Sequence, residues 1–444
     1  MRQPADRPVR FSVKQLRADL LGAQKLLVRE HDGFARYRVL HRVFTLLADA
    51  EANRRLLVSE PGIYRRGRPH DNLALAFGRG LICSEGAGWQ RQRQVAQPVF
   101  GKALLTRVVE ITAGLAAETV DGWERARRRG EPVEVFDDMQ ALTLRVIGLA
   151  LFSHDLKTAP IDFAETVRTG LEVVVRRNLS PVTLPLWVPT RLHRRFNRRF
   201  SAIDRFLTER IEERLADRDG YRDILADLIR GYGERAPDFR RELRDQVITL
   251  FFAGFETTAT ALAWTWLLLS QHPEAERKFH RELADVLGGR VPTHQDLSSL
   301  TYTHQIVQES MRMYPPVFSL PRAVAADDQV GDHCIRRGEN LVIPIHALHR
   351  MGDYWDRPDT FCPERFAPGI LTQAQRHAYL PFSAGPRRCL GASFATVEML
   401  TVLAVAGQRV RLRLADGNPV LVAVAVTQRP AHGLPMRVEP GYGA

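Results

Sequence analysis

The stretch VITLFFAGFETTATALAWTWLLL, residues 247–269, constrains this chain more than any other. As a helix it is long and apolar enough to cross a bilayer. It serves equally as a helix through the middle of a large soluble core. The two readings divide at its centre, where Glu256 and Thr257 would be costly in lipid but useful in a buried pocket. With 444 residues, 45% hydrophobic and 26% charged, the chain can bury such a helix. The choice therefore rests on what the remaining segments do.

Most of them read as helix. Apolar periodicity predicts helices near 50–59, 86–97, 104–129, 137–153, 160–176, 191–218, 221–231, 239–270, 272–286, 299–312 and 391–406. Residues 34–48 alternate apolar and polar side chains as a strand or hairpin, and short β-like runs recur at 317–346 and after 406. Residues 60–88 read as loop. Three prolines forbid regular helix in NLSPVTLPLWVPT, residues 178–190. Residues 349–388 have little periodicity, and an irregular segment that long usually serves a function. The expected fold class is mostly α with a smaller β-rich part (α+β), built as one domain over residues 1–444.

The formal net charge is +12, which could suit nucleic acid, an acidic membrane surface or an acidic protein. The arginines alternate with acids along helical segments, and aromatics are not interleaved for base stacking. Nucleic acid is therefore the weakest of these partners. Cys83, Cys334, Cys362 and Cys389 form no CxxC pair, which argues against a zinc ribbon or a disulfide framework. The first residues, MRQPADRPVRFSVKQL, hold no apolar signal region.

One cysteine has an unusual setting, FSAGPRRCLG at 382–391. A helix follows it directly, so the thiol meets free backbone N–H groups and the positive end of a helix dipole. Arg387 and Arg388 add positive charge. All three favour the thiolate, which acts as a nucleophile or a metal ligand. No nearby histidine supplies a base for the first role. A single thiolate tuned by N–H groups suits iron. Gly385 allows a tight bulge, Gly391 a close backbone approach, and Phe382 can pack as a lid.

Phe382, Gly385, Arg387, Cys389 and Gly391 give F-x-x-G-x-R-x-C-x-G, which resembles the haem-binding signature of the cytochrome P450 family. Chance would match these five positions in on the order of one in ten thousand chains of this length. Other motifs stand in the family's order. Glu309 and Arg312 in QESMRMYPP, with Arg365 in PERF, resemble a buried charge network behind the haem. AGFETT at 253–258 resembles the oxygen-binding element of the long central helix over the haem, with Ala253 against the haem face and Glu256 and Thr257 handling protons. Trp89 and Arg93 in GAGWQRQRQ, with Arg322 and Arg387, match propionate contacts. With this family in view, 247–269 is a core helix and no transmembrane anchor is expected.

The resemblance implies haem b ligated by Cys389, O2 on the opposite face, and insertion of one oxygen atom into a hydrophobic small molecule. Terpenoid, fatty acyl and polyketide-like substrates all fit. Phe251, Phe252 and Phe255, the 70–88 loop, 178–190, Val317–Leu320 and Ala431–Leu434 are the expected pocket wall. The chain ends soon after Cys389, so electrons are expected from a separate ferredoxin or flavodoxin and its reductase. Arg91, Lys102 and Arg388 are candidate docking cations. A cytoplasmic location is expected. A peroxide-driven or isomerising haem-thiolate enzyme is the rival activity, and a haem sensor the rival class.

Overall fold

A computed structural model describes residues 8–442 except 13, 16–18, 40–41, 60–61, 181–182, 218, 234–238 and 332. Positions 181–182 of the expected pocket segment 178–190 thus lie outside the described residues. So do 40–41 of the 34–48 hairpin and the first seven residues.

The helices are α1 Leu20–Glu30, α2 Ala50–Arg54, α3 Arg68–Phe77, α4 Gly86–Ala96, α5 Lys102–Arg128, α6 Val135–Phe152, α7 Phe163–Leu179 and α8 Arg191–Ala216. They continue with α9 Ile224–Tyr232, α10 Phe239–Gln271, α11 Pro273–Leu287, α12 Thr301–Met313, α13 Ile345–Leu348, α14 Gln373–Ala378 and α15 Ala392–Gly407. The strands are β1 Val9–Phe11, β2 Phe34–Val39, β3 Arg42–Leu47, β4 Tyr64–Arg65, β5 Val133–Glu134, β6 Leu320–Val324 and β7 Asp328–Val330. After them come β8 His333–Ile335, β9 Asn340–Ile343, β10 Val410–Leu414, β11 Val422–Val424, β12 Gln428–Pro430 and β13 Pro435–Pro440. Helix dominates, as the periodicity predicts.

These elements form two compact units. One takes the described residues of Met1–Asp71, Gln305–Cys389 and Ala423–Arg429, and the other those of Asn72–His304, Leu390–Val422 and Pro430–Ala444. The first unit is the β-rich part. Its sheet runs β1-β2-β3-β9-β6-β4. The β2–β3 hairpin is antiparallel, and β3 pairs with β9 in parallel, so strands from both ends of the chain share one ladder. Leu46, Leu47, Leu341, Ile343 and Trp355 lie in the core beneath it. Within that ladder Glu339 accepts hydrogen bonds from Thr45 at 2.7 Å and Arg36 at 3.3 Å.

The second unit is helical and built around α10, which at 33 residues is about 50 Å long. Helices α6 and α15 pack on it, and α5 packs on both. Its most apolar window is 78% buried inside this fold, so protein covers it and it is a core helix. Trp264 is completely buried, and Trp266 meets Trp123 edge to face at 6.2 Å. Asp245 fixes the preceding loop by accepting from the Arg79 backbone N–H at 2.8 Å. A small sheet, β10-β13-β5, closes this unit.

Most helix ends have a local cause. Asp19, Asp49, Asp162, Thr190 and Asp223 accept hydrogen bonds from first-turn N–H groups. Pro273 opens α11, and Gly288 ends it in the left-handed conformation. One expectation is corrected. Residues 68–77 form a helix inside the stretch read as loop. Pro69 falls in the first turn, where a missing N–H costs nothing, and the glycines flank the helix at 67 and 78 rather than interrupt it.

Candidate functional site

The cysteine turn belongs to the first unit. Residues 385–387 form a single 3-10 turn with Pro386 at its start. The Cys389 N–H donates to the Phe382 carbonyl at 2.9 Å, and the Arg388 N–H to the Gly385 carbonyl at 3.0 Å. Gly385 has φ +67°, and a Cβ there would lie 1.9 Å from the Leu57 carbonyl oxygen. The turn therefore seats against the π-helical residues Arg55–Ser59, and only glycine fits. Ser383 also has positive φ, +57°, a strained setting for a residue with a side chain. Cys389 is exposed and in no disulfide.

Beside this turn lies a cationic corner. Arg322, on β6, is buried and donates to the Pro321 carbonyl at 2.9 Å. His70, at the start of α3, is also buried, and its Nε2 lies 3.0 Å from an Arg66 guanidinium nitrogen. Its Nδ1 has no full hydrogen bond. Burial, followed by the charges of Arg66, Arg322 and Arg387, holds this imidazole well below its usual range and so neutral, offset in part by the Gly67 carbonyl. Sequence reading missed His70 because it lay in presumed loop. The available signal was a histidine one residue past Pro69, at a helix start.

The irregular segment 349–388 is held by the expected charge network. Glu309 and Arg312 are both fully buried, and Arg312 forks onto the carboxylate at 2.7 and 2.9 Å. Its other donors reach the His349 carbonyl at 2.7 Å and the Pro358 carbonyl at 2.8 Å. Arg365 adds a contact to Glu309 at 3.3 Å, and the Cys362 N–H another at 2.9 Å. Behind them His349 accepts from the Leu380 N–H at Nε2, so its Nδ1 is the donor to the Arg312 carbonyl. Burial and the neighbouring Arg312 charge lower its pKa to about 3.

The second unit holds the other expected residues. Along α10 every side chain from Asp245 to Leu269 is buried except Leu250, Ala253, Gly254 and Thr257. Their i, i+3, i+4, i+7 spacing places them on one helix face, a stripe that protein atoms leave incompletely covered. Glu256 is buried, 6% exposed. The Thr257 hydroxyl donates back to the Ala253 carbonyl at 2.8 Å, the conformation of an idle mid-helix threonine. Phe251, Phe252 and Phe255 do not line a pocket as expected. They are buried in ring contacts, Phe252 stacked on Phe77 at 3.9 Å and Phe251 against Phe163 at 5.3 Å. The periodicity explains this, since these three point away from the 250/253/254/257 face.

On α4, Trp89 and Arg93 are half-buried, and Arg93 donates to Gln97 at 3.1 Å. Gly391 caps α15, and a side chain there would meet only the Phe100 ring, at 4.0 Å. Arg388 and Lys102 are exposed, whereas Arg91 is ion-paired with Glu242 and so engaged within the fold.

These features fit a haem. Among the described residues no group of three or more His, Cys, Asp or Glu side chains is placed to hold a metal, so iron on Cys389 would draw its other ligands from a macrocycle. In the incompletely covered stripe of α10 the small residue Ala253 leaves room for a flat group to lie close. The cationic corner suits carboxylates.

Comparison with known proteins agrees. The sequence model of the cytochrome P450 family matches residues 1–423. Cyclooctatin synthase of Streptomyces melanosporofaciens is 32% identical, covering 94% of this chain and 93% of that protein. Cyclooctat-9-en-7-ol 5-monooxygenase from the same organism is 32% identical over 82% of this chain and 79% of its own. The chloroplastic carotene epsilon-monooxygenase of Arabidopsis thaliana is 28% identical over 95% and 83%. The chain belongs to the cytochrome P450 family and is a haem-thiolate monooxygenase, an oxidoreductase of a family that uses O2 and redox partners.

Proposed function

We propose that this enzyme binds haem b through Cys389 and hydroxylates an isoprenoid hydrocarbon or a compound of that kind. The uncovered face of α10 carries the reading, because an apolar stripe with one hydroxyl is what such a substrate and O2 would meet. The monooxygenase relatives named for cyclooctat-9-en-7-ol and carotene favour an isoprenoid over the fatty acyl and polyketide-like alternatives. Residues 1–444 act as one catalytic domain.

When bound, the haem supplies an iron that activates O2 for insertion into a C–H bond. The overall balance takes O2, two electrons and two protons to hydroxylated product and water. The chain's own residues do the rest. The Cys389 N–H is committed to the Phe382 carbonyl, which fixes the turn that aims the sulfur. Phe382 and Gly391 frame it. Arg322, Arg387, Trp89 and Arg93 would hold propionates, and His70, whose Nε2 faces the Arg66 guanidinium, would join them by donating from Nδ1. Ala253 lets the haem face approach. Glu256 moves protons inward, and Thr257 leaves its bond to the Ala253 carbonyl to present its hydroxyl. Exposed Arg388 and Lys102 attract an acidic ferredoxin or flavodoxin, with a cytoplasmic location.

The reduced protein under carbon monoxide tests the ligand. A Soret band at the thiolate position is expected, and one at the histidine position overturns it. Spin-state titrations with isoprenoid hydrocarbons, fatty acids and macrolactones test the substrate, and a response confined to the latter two overturns the isoprenoid assignment. Charge reversal at Arg388 or Lys102 should slow reduction at low salt. Unchanged rates would remove these residues from the docking surface.

A further inference from the structure

The turn that leads from α12 towards β6 carries two successive prolines, Pro315 and Pro316, and both are buried. A proline has no N–H, so the turn cannot fix itself through donors of its own at these positions. Its buried carbonyls need donors from other segments of the first unit. Gln428 of β12, which is wholly buried, supplies two of them. Its side-chain Nε2 donates to the Pro315 carbonyl at 2.6 Å, and its backbone N–H to the Pro316 carbonyl at 3.1 Å. His346 of α13 supplies another, its backbone N–H donating to the Phe318 carbonyl at 3.0 Å. The two donating residues also meet, with His346 Nδ1 3.1 Å from Gln428 Oε1. Together these contacts close a ring around residues 315–318.

The ring also fixes where its protons sit. The amide nitrogen of Gln428 must face the Pro315 carbonyl, so Oε1 faces the imidazole and Nδ1 must carry the ring proton. Arg350 lies 3.2 Å from the same nitrogen and has Asp359 as its acceptor at 3.3 Å. Burial, followed by the Arg350 charge, holds the His346 imidazole well below its usual range and so neutral, offset in part by the bond to Gln428. Within the turn Phe318 is buried, whereas Val317 and Ser319 on either side of it are only half-buried. These two belong to residues 317–320, an expected wall of the pocket.

We propose that Gln428 is a specificity-determining positioning residue, which with His346 clamps the Pro315–Pro316 turn so that Val317 and Ser319 meet the substrate in one fixed arrangement. Gln428 does this from more than a hundred residues along the chain, through the turn's carbonyls and without touching substrate. A leucine of similar size would leave the Pro315 carbonyl buried without its donor, and the turn would be free to shift. The specificity role rests on the haem-thiolate reading proposed above, with residues 317–320 lining its pocket. The clamp itself does not.

Magnetic resonance of the full-length haem protein, in its carbon-monoxide form and with 15N-labelled histidine, tests the clamp. His346, identified by the signal lost in His346→Asn, should hold its proton on Nδ1, and a proton on Nε2 instead overturns the clamp. Azole titration tests the specificity role, with imidazole as a small iron ligand and 4-phenylimidazole as one large enough to reach the pocket wall. In Gln428→Leu the affinity for 4-phenylimidazole relative to imidazole should fall about tenfold, with the carbon-monoxide band unchanged. His346→Phe should act in the same direction, while His346→Asn, whose amide nitrogen takes the place of Nδ1, should keep the parent's ratio. Equal losses in His346→Phe and His346→Asn remove Nδ1 from the clamp and overturn it. An unchanged ratio in Gln428→Leu, or loss of haem from both Gln428→Leu and His346→Phe, overturns the specificity role. Failure of the haem-thiolate reading would show separately, as a missing thiolate band in the unsubstituted protein.

Discussion

Glu309 and Glu398 are both buried glutamates on helices, one in each unit, and they are built in opposite ways. Glu309 faces only donors: two arginines and a backbone N–H. Neither carboxyl oxygen of Glu398 has a hydrogen-bond partner, and burial raises the group well above the usual carboxylate range. Charge is kept at the first place by surrounding it with partners, and disfavoured at the second by burial. The same side chain therefore organises an irregular loop in one unit and sits unpartnered within a regular helix in the other.

One substitution made at both places should separate them. Glu309→Gln leaves the Arg312 guanidinium buried against a neutral amide. A loss of about 3–5 kcal/mol is expected in denaturant unfolding. A loss comparable to that of Glu398→Gln would erase the contrast.

Acid should weaken the first network through His349. Its folded pKa, about 3, lies below the ordinary histidine value of 6.5, so the unfolded chain binds the extra proton between those values. Stability is then full above 6.5 and falls by about 1.4 kcal/mol per pH unit down towards 3. Unfolding of the parent and His349→Gln at several pH values checks it, and parallel curves would remove His349 from the account. Arg365→Leu is a smaller probe, because Arg365 meets Glu309 through one contact at 3.3 Å. About 2 kcal/mol is expected from the same unfolding measurement.

The smallest effect belongs to Glu398→Gln, about 1 kcal/mol or less near neutral pH. Its sign in pH is opposite to that of His349. A raised folded pKa means the native state binds the extra proton, so the parent loses stability as pH rises above the ordinary carboxyl range towards the folded value. The variant should therefore gain relative to the parent as pH rises, and a constant difference would count against a protonated Glu398.

The sequence disclosed these two sites unequally. Glu309 was legible because its partners sit in recognisable contexts, QESMRMYPP and PERF. Glu398 sits in GASFATVEMLTVLAVAG, where one acid in an apolar helix carries no mark of what it will touch. The helices themselves were legible from periodicity, and the cysteine turn from its glycines and arginines. The phenylalanines of α10 were misread, because periodicity gives relative facing but not which face the fold leaves uncovered. His70 was missed because its meaning comes from Arg322 and Arg387, more than two hundred residues later in the chain.

The seat of Gly385 against Leu57 carries a consequence for how the enzyme is made. The carbonyl that shapes the cysteine turn is laid down early in synthesis, and the turn itself among the last parts of the chain. Contacts of such high sequence separation form late in folding. A nascent chain can complete its central helix while its cysteine turn has no surface to rest on. Cofactor capture should then be one of the final events of maturation, and a chain stopped short of residue 389 should leave the ribosome largely helical and unable to retain haem.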